Sequence, residues 1–278
     1  MFESIGRSIE LFKTSWGILM DDKKLLVFPV LSGIVSIMVL LTFLLPIVIG
    51  KFLGETLFYI ALFAFYLASY FVVIFFNTAL VACVNAKLQG KEMSVGEGLS
   101  VALAHFIPIL GWALVSATVG VILHALRERA GLAGRIAAAL VGGAWGLVTF
   151  FVVPILVLEN KGVFESIGES TALIRKTWGE SIIGAGSITL VYFFLVAVLI
   201  VATIAAIVVA AMVNLPGVIL LIVALALIAG ILLAVTGVAM QGIYVTALYT
   251  YAKTGAVPPA FHRDVIQGAF VAKERQNI

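Results

Sequence analysis

Charged side chains are what this 278-residue chain has least of: Asp, Glu, Lys and Arg make up 11% of it, against about 25% in soluble domains. With 63% apolar residues and a mean hydropathy of +1.22, a water-exposed globule is excluded. Cysteine is nearly absent. The single Cys83 sits in an apolar run, which excludes an intramolecular disulfide and a thiolate metal site and leaves the redox compartment open. The three histidines, His105, His124 and His262, do not cluster, and each reads as an interfacial or solvated residue. The chain also has no Gly-rich loop ending in Lys-Ser/Thr, no His-Glu-x-x-His, no Cys-x-x-Cys and no Gly-x-Ser-x-Gly turn. No catalytic residue, no cofactor and no metal ligand is therefore assigned. A net charge of +3 is spread over the loops rather than gathered in a run, which points to anionic lipid and topology and away from nucleic acid.

What the chain has in abundance is long apolar runs. They predict an all-α integral membrane protein with six spans, at about 25–49, 57–87, 105–126, 133–158, 181–213 and 217–252. Each exceeds the roughly 20 residues needed to cross a ~30 Å hydrocarbon core. Helices are required because lipid cannot satisfy an open sheet edge, and no alternating barrel pattern is present. The first run follows a charged amphipathic segment and is too long for a signal-peptide core, so it is expected to be a permanent span. Thirteen Lys and Arg fall on the side of the two termini and only Lys51, Arg127, Arg129 and Arg135 on the other. The positive-inside rule then puts both termini in the cytoplasm. The cluster around Arg127 and Arg135 leaves open whether the third and fourth helices cross fully.

Phe2-Glu3-Ser4-Ile5-Gly6 recurs as Phe164-Glu165-Ser166-Ile167-Gly168, and the match continues through Ser8/Ser170, Leu11/Leu173, Trp16/Trp178 and Gly17/Gly179. A weaker copy, Ser94-Val95-Gly96-Glu97-Gly98, lies between them, and an aromatic residue falls twelve positions after each aligned serine: Trp16, Phe106 and Trp178. The expected organisation is one membrane domain of three repeats, at about 1–91, 92–161 and 162–255, with a cytoplasmic tail at 256–278. Each repeat would be an interfacial amphipathic helix followed by a transmembrane hairpin.

In the first such helix Phe2, Ile5, Ile9, Phe12, Trp16 and Leu19 recur at helical steps; in the third, Phe164, Ile167, Ile174 and Trp178 do. Ser94 with Glu97 and Ser166 with Glu169 have capping-box spacing. The candidate membrane-interface residues are Trp16, Phe106, Trp178, Arg175 and Lys176, the rings sitting at headgroup level and the cations beside them. Packing against the protein's own hairpins and specific headgroup recognition both account for the stripes. The middle copy, with Leu103, Ala104 and His105 where the third has Arg175, Lys176 and Thr177, is expected to be the most buried.

The span interiors hold no Asp, Glu, Lys or Arg, which argues against an ion-coupled carrier. Asn77 and Gln241 are the candidate intramembrane polar residues and should point inward, as an interhelical bond or as a substrate contact. Ser116-x-x-x-Gly120 and Gly142-x-x-x-Gly146 are candidate helix-packing motifs, within the third-to-fourth hairpin or between two copies of the chain. Pro29, Pro46, Pro108 and Pro154 are expected to kink helices, and Asn214-Leu215-Pro216-Gly217 to form a turn. The helices flanking that turn, each about 32 residues, are longer than the core is thick. A tilted or splayed bundle is expected there.

The run from Phe164 to Ser170 and on to Lys176-Thr177-Trp178, preceded by Pro154 and Glu159, resembles uncharacterised prokaryotic polytopic families. These are similar to the membrane domain fused to glycerophosphodiester phosphodiesterases, where a short amphipathic helix ending in a basic-plus-Trp element precedes each hairpin. The resemblance implies a prokaryotic plasma membrane and no assigned reaction. No soluble phosphodiesterase domain is among these residues, so hydrolysis is not carried over. The leading expectation is a non-enzymatic membrane scaffold or lipid-interacting protein, with membrane lipid, a homo-oligomer or another membrane protein as partner. The alternatives are a transporter or channel for an apolar or amphipathic solute, and an intramembrane lipid enzyme using Glu159, His105 and His124.

Overall fold

The computed structural model describes residues 2–129, 131–178, 187–259 and 261, and every regular element among them is helical. In order they are α1 (Phe2–Asp21), a 3-10 turn (Lys23–Leu26), α2 (Val27–Leu53), α3 (Glu55–Leu88), α4 (Val95–Ala104) and α5 (Phe106–Arg129). Then come α6 (Gly131–Val148), α7 (Val152–Leu158), α8 (Val163–Trp178), α9 (Ser187–Met212) and α10 (Pro216–Thr254). Among the described residues, six stretches are long and apolar enough to cross a membrane: Lys23–Ile49, Glu55–Leu88, Phe106–Glu128, Gly131–Leu158, Val191–Met212 and Pro216–Thr254. The shorter α1, α4 and α8 each precede two of these.

Local chemistry explains the boundaries. Ser94 caps α4: its Oγ accepts from the Glu97 amide at 3.2 Å while the Glu97 carboxylate accepts from the Ser94 amide at 2.7 Å. Pro108 has no amide to offer the carbonyl of Ala104, and α4 ends at that residue, with His105 as its cap. Pro29 falls in the opening turn of α2, where a missing amide costs little, and α2 runs on through Pro46. The turn after α9 is as expected, with Asn214 at φ 50° and Pro216 in the first turn of α10. Two sequence expectations need correction. The fourth span is not one helix, since residues 149–151 form a turn between α6 and α7, at the carbonyl Pro154 cannot bond. Ser166 and Glu169 do not form a capping box, because α8 begins at Val163 and Ser166 lies inside it.

The long helices pack as the neighbouring pairs α2–α3, α5–α6 and α9–α10, with α3 central and touching α2, α4, α5, α7 and α10. The core sits at one end of the bundle. It gathers Leu25 and Phe28, residues Ile74 to Leu88 of α3, Ile109 and Trp112 of α5, α7, and residues Ala239 to Ala252 of α10. At the opposite end the side chains stay apolar but face outward: Leu41 and Leu45 of α2, Leu132 and Leu140 of α6, Val208 and Met212 of α9, Leu220 and Leu227 of α10. Asymmetric packing of this kind is what helices of unequal length produce. α10, at 39 residues, extends about 58 Å at 1.5 Å per residue.

Candidate functional site

The repeated letters of α1 and α8 take separate faces of the helix. In α8, Ser166, Ser170 and Leu173 are buried, whereas Phe164 is 79% exposed and Gly168, Ala172, Arg175 and Lys176 are also exposed. In α1, Leu11, Ser15, Ile18 and Leu19 are buried, Phe12 is half-buried and Trp16 is 39% exposed. Among the residues whose burial is described, the seating face is centred on a strip of serine and leucine, with Phe12, Leu19, Ile167 and Ile174 of the periodic stripe packed on the core beside it and Phe164 and Trp16 left outside. Small hydroxyl side chains let a helix lie close to its support, and the bulky rings are left at the edge. The signal was present in the repeat itself, as Ser4/Ser166, Ser8/Ser170 and Leu11/Leu173 at steps of four and three.

Trp16 stacks on Phe12, with centroids 6.3 Å apart, and Phe12 leans on Tyr192 of α9 at 5.8 Å. Phe106, 42% exposed, meets Phe71 of α3 edge-on at 5.1 Å. The side chain of Trp178 lies outside the described residues. The middle copy is not the most buried: α4 buries only Gly98 and Ala102, and Leu103 faces outward. The break at His105 ends α4 before its apolar end can turn inward.

Ser170 serves the broken fourth span. Its Oγ accepts from the amide of Phe151 at 3.1 Å, fully buried, so a group freed by the turn is satisfied from α8. Ser166, one turn earlier and equally buried, has no partner for its Oγ among the described residues.

A charged clasp joins α8 to the end of α10. Glu159, which caps α7, accepts from the Tyr249 hydroxyl at 2.5 Å through Oε1 and from Lys253 Nζ at 2.9 Å through Oε2. Lys161 Nζ lies 2.9 Å from the same Oε2. Glu169 of α8 accepts from both lysines, and Glu165 stands 3.9 Å from Lys161. Burial disfavours the Glu159 anion, but the hydrogen bonds from Tyr249, Lys161 and Lys253 outweigh it and hold the carboxyl at about 2. Glu169 is lowered in the same way, burial opposing and the two lysines prevailing. Hydrogen bonds to Glu169 and Glu159 raise Lys161 above the usual lysine range. Glu159 and Glu169 are thereby anionic and Lys161 cationic at neutral pH, an arrangement that holds structure.

Of the two candidate intramembrane polar residues, Asn77 lies at the contact of α3 with α10, its Oδ1 3.8 Å from where a Cβ on Gly242 would be. Gln241, next to Gly242, is half-buried. The small-residue motifs do not pair with each other. Gly120 faces Tyr70 and Tyr66 of α3, Gly142 faces Leu123 of α5, and Gly146 has open space, while Ser116 is buried. The α5–α6 pair is joined instead by Trp112 and Trp145, centroids 5.7 Å apart.

Glu159, His105 and His124 are not assembled. His105 is held to the carbonyl of Val101 through Nδ1 at 2.8 Å, and His124 lies 3.5 Å from Glu128. His105 immediately precedes α5 and His124 lies towards its far end, so the two are roughly 28 Å apart along the helix direction. No group of His, Cys, Asp and Glu suited to a metal ion occurs among the described residues.

A family model described as a family of unknown function (DUF6159) matches residues 56–258, most of the chain. No curated protein and no solved structure matches it.

Proposed function

The chain belongs to the DUF6159 family of unknown function, and we propose that it is a multi-pass scaffold or lipid-interacting protein of a prokaryotic plasma membrane, without catalysis of its own. Both termini lie in the cytoplasm, and three repeats each set an interfacial helix ahead of a hairpin. The observation carrying this reading is the exposure of Phe164 and Trp16 on helices whose other faces are seated on the bundle. Rings left at the edge of a seated helix, with Lys13 near one and Arg175 and Lys176 on the other helix, suit the headgroup layer. The core lies at the end carrying these helices, so the far ends of the spans are free to meet lipid.

The test is depth-dependent quenching in vesicles. A variant keeping Trp16 and replacing Trp112, Trp145 and Trp178 by Phe should be quenched more by shallow brominated lipid than by deep. Equal insensitivity to both would remove the interfacial role. Ordered lipid retained through purification is the second expected result.

One further observation favours transport of an amphipathic solute as the second reading. A broken helix at membrane depth is tolerated where protein buries it or a cavity is lined by it, and the α6–α7 break is near the unpartnered Ser166. Solute flux in vesicles that Asn77→Leu or Gln241→Leu abolishes would favour this reading over the scaffold.

A further inference from the structure

The outward face of α8 has a symmetry that its seating does not use. The exposed positions Glu165, Gly168, Ala172 and Arg175 follow one another at steps of three, four and three, the spacing of a helix-pairing seam. Phe164 and Lys176 flank the seam at its two ends. Turning a second α8 end for end about position 170 sets Glu165 against Arg175, Phe164 against Lys176 and Gly168 against Ala172. Opposite charges meet, the ammonium reaches the face of a ring, and the two small residues let the backbones approach. Arg175 and Lys176 have no ion pair among the described residues, and Glu165 has only the 3.9 Å approach of Lys161.

Gly168 leaves open space on this face, where a Cβ would meet nothing within 4 Å, and two small residues together let a second backbone come close. A bilayer surface matches the seam itself less well, because Glu165 would face anionic headgroups and Gly168 and Ala172 offer little apolar area. In α1 the position of Ala172 is taken by Glu10, which would fill the seam. α8 alone is therefore self-complementary.

We infer that the exposed face of α8 is a docking surface for a second copy of this chain, the two helices antiparallel about a two-fold axis through position 170. If α8 lies in the headgroup plane, that axis runs along the membrane normal, the arrangement a symmetric membrane dimer requires. The inference deepens the scaffold reading and rests on its membrane setting.

The test is single-molecule counting of the labelled full-length protein in vesicles of mixed anionic and zwitterionic lipid. The wild type should dimerise. Glu165→Arg and Arg175→Glu should each weaken the dimer roughly tenfold, and the two together should restore it. Gly168→Leu should also weaken it, independently of charge. A monomeric wild type, or single charge reversals that leave the dimer unchanged, would overturn the inference. Tighter vesicle association of Glu165→Arg without any dimer would assign the face to lipid instead. Protein recovered from water without detergent would sink the membrane reading itself, a separate outcome.

Discussion

The Tyr249 hydroxyl donates to Glu159 at 2.5 Å, joining residues 90 positions apart and closing α10 onto the connection between α7 and α8. Since Glu159 also holds Lys161 and Lys253, it fastens the α7–α8 connection to α10, beside the Lys253–Glu169 pair that fastens α8 itself.

Glu159→Gln should lower stability by about 1–3 kcal/mol, because it removes one of the two carboxylate charges that both ammonium groups face while leaving them in place. Tyr249→Phe should cost less, about 1 kcal/mol, since the lysines remain as donors. Thermal unfolding in nanodiscs measures both, and equal values for the two variants would show that the lysines contribute little.

The clasp also sets a pH window. The Glu159 carboxyl is lowered in the folded protein, to about 2, so its contribution is complete above the unfolded value near 4.3 and is lost as pH falls towards 2. Lys161 is raised, so its contribution is complete below about 10.4 and is lost as pH climbs past the folded value. Stability from the clasp should be flat between about pH 5 and 10, with an acid limb that Glu159→Gln removes. An unchanged acid limb in that variant would assign acid sensitivity to other carboxylates.

Ser170→Ala and Ser166→Ala should behave oppositely despite equal burial. The first removes the hydroxyl that accepts from the Phe151 amide and should cost about 1–3 kcal/mol; the second removes an unpartnered hydroxyl and should be neutral or slightly stabilising. Comparing melting temperatures of the two variants is enough, and a larger loss for Ser166→Ala would contradict the assignment.

Glycines in α4 give a second contrast. A Cβ on Gly98 would lie 2.6 Å from Cys83 Sγ and 3.1 Å from the Ala79 carbonyl oxygen, so Gly98→Ala must separate α4 from α3 and should cost about 1–3 kcal/mol. Gly96 has open space, and Gly96→Ala should stabilise by about 0.5–1 kcal/mol. Thermal unfolding distinguishes them.

Much of this was legible from local pattern. Uninterrupted apolar length marks the spans, Ser94 and Glu97 mark the start of α4, and Asn214 to Gly217 marks the turn. The same spacing at Ser166 and Glu169 misleads, because Val163 can already start the helix and Glu169 has stronger partners in Lys161 and Lys253. The seating faces were legible only in part, with Phe12, Leu19, Ile167 and Ile174 of the periodic stripe packed on the core and Phe164 outside it. In a wholly apolar setting a bulky ring is no guide to the inward face, so Phe164 faces out while Ser166 and Ser170 face in.

By itself the sequence determined the number and extent of the apolar helices, the scarcity of charge within them and the recurrence of the short helix before each pair. These depend on composition and on contacts a few residues apart. Tertiary structure alone decided that Lys253 meets Glu159 across 94 positions, that Gly120 receives Tyr70 rather than α6, and that Ser170 satisfies the break before α7. Such pairings follow from how helices of unequal length pack, and where nearly every face is apolar, hydrophobicity cannot choose among them. Close fit and the few polar groups do.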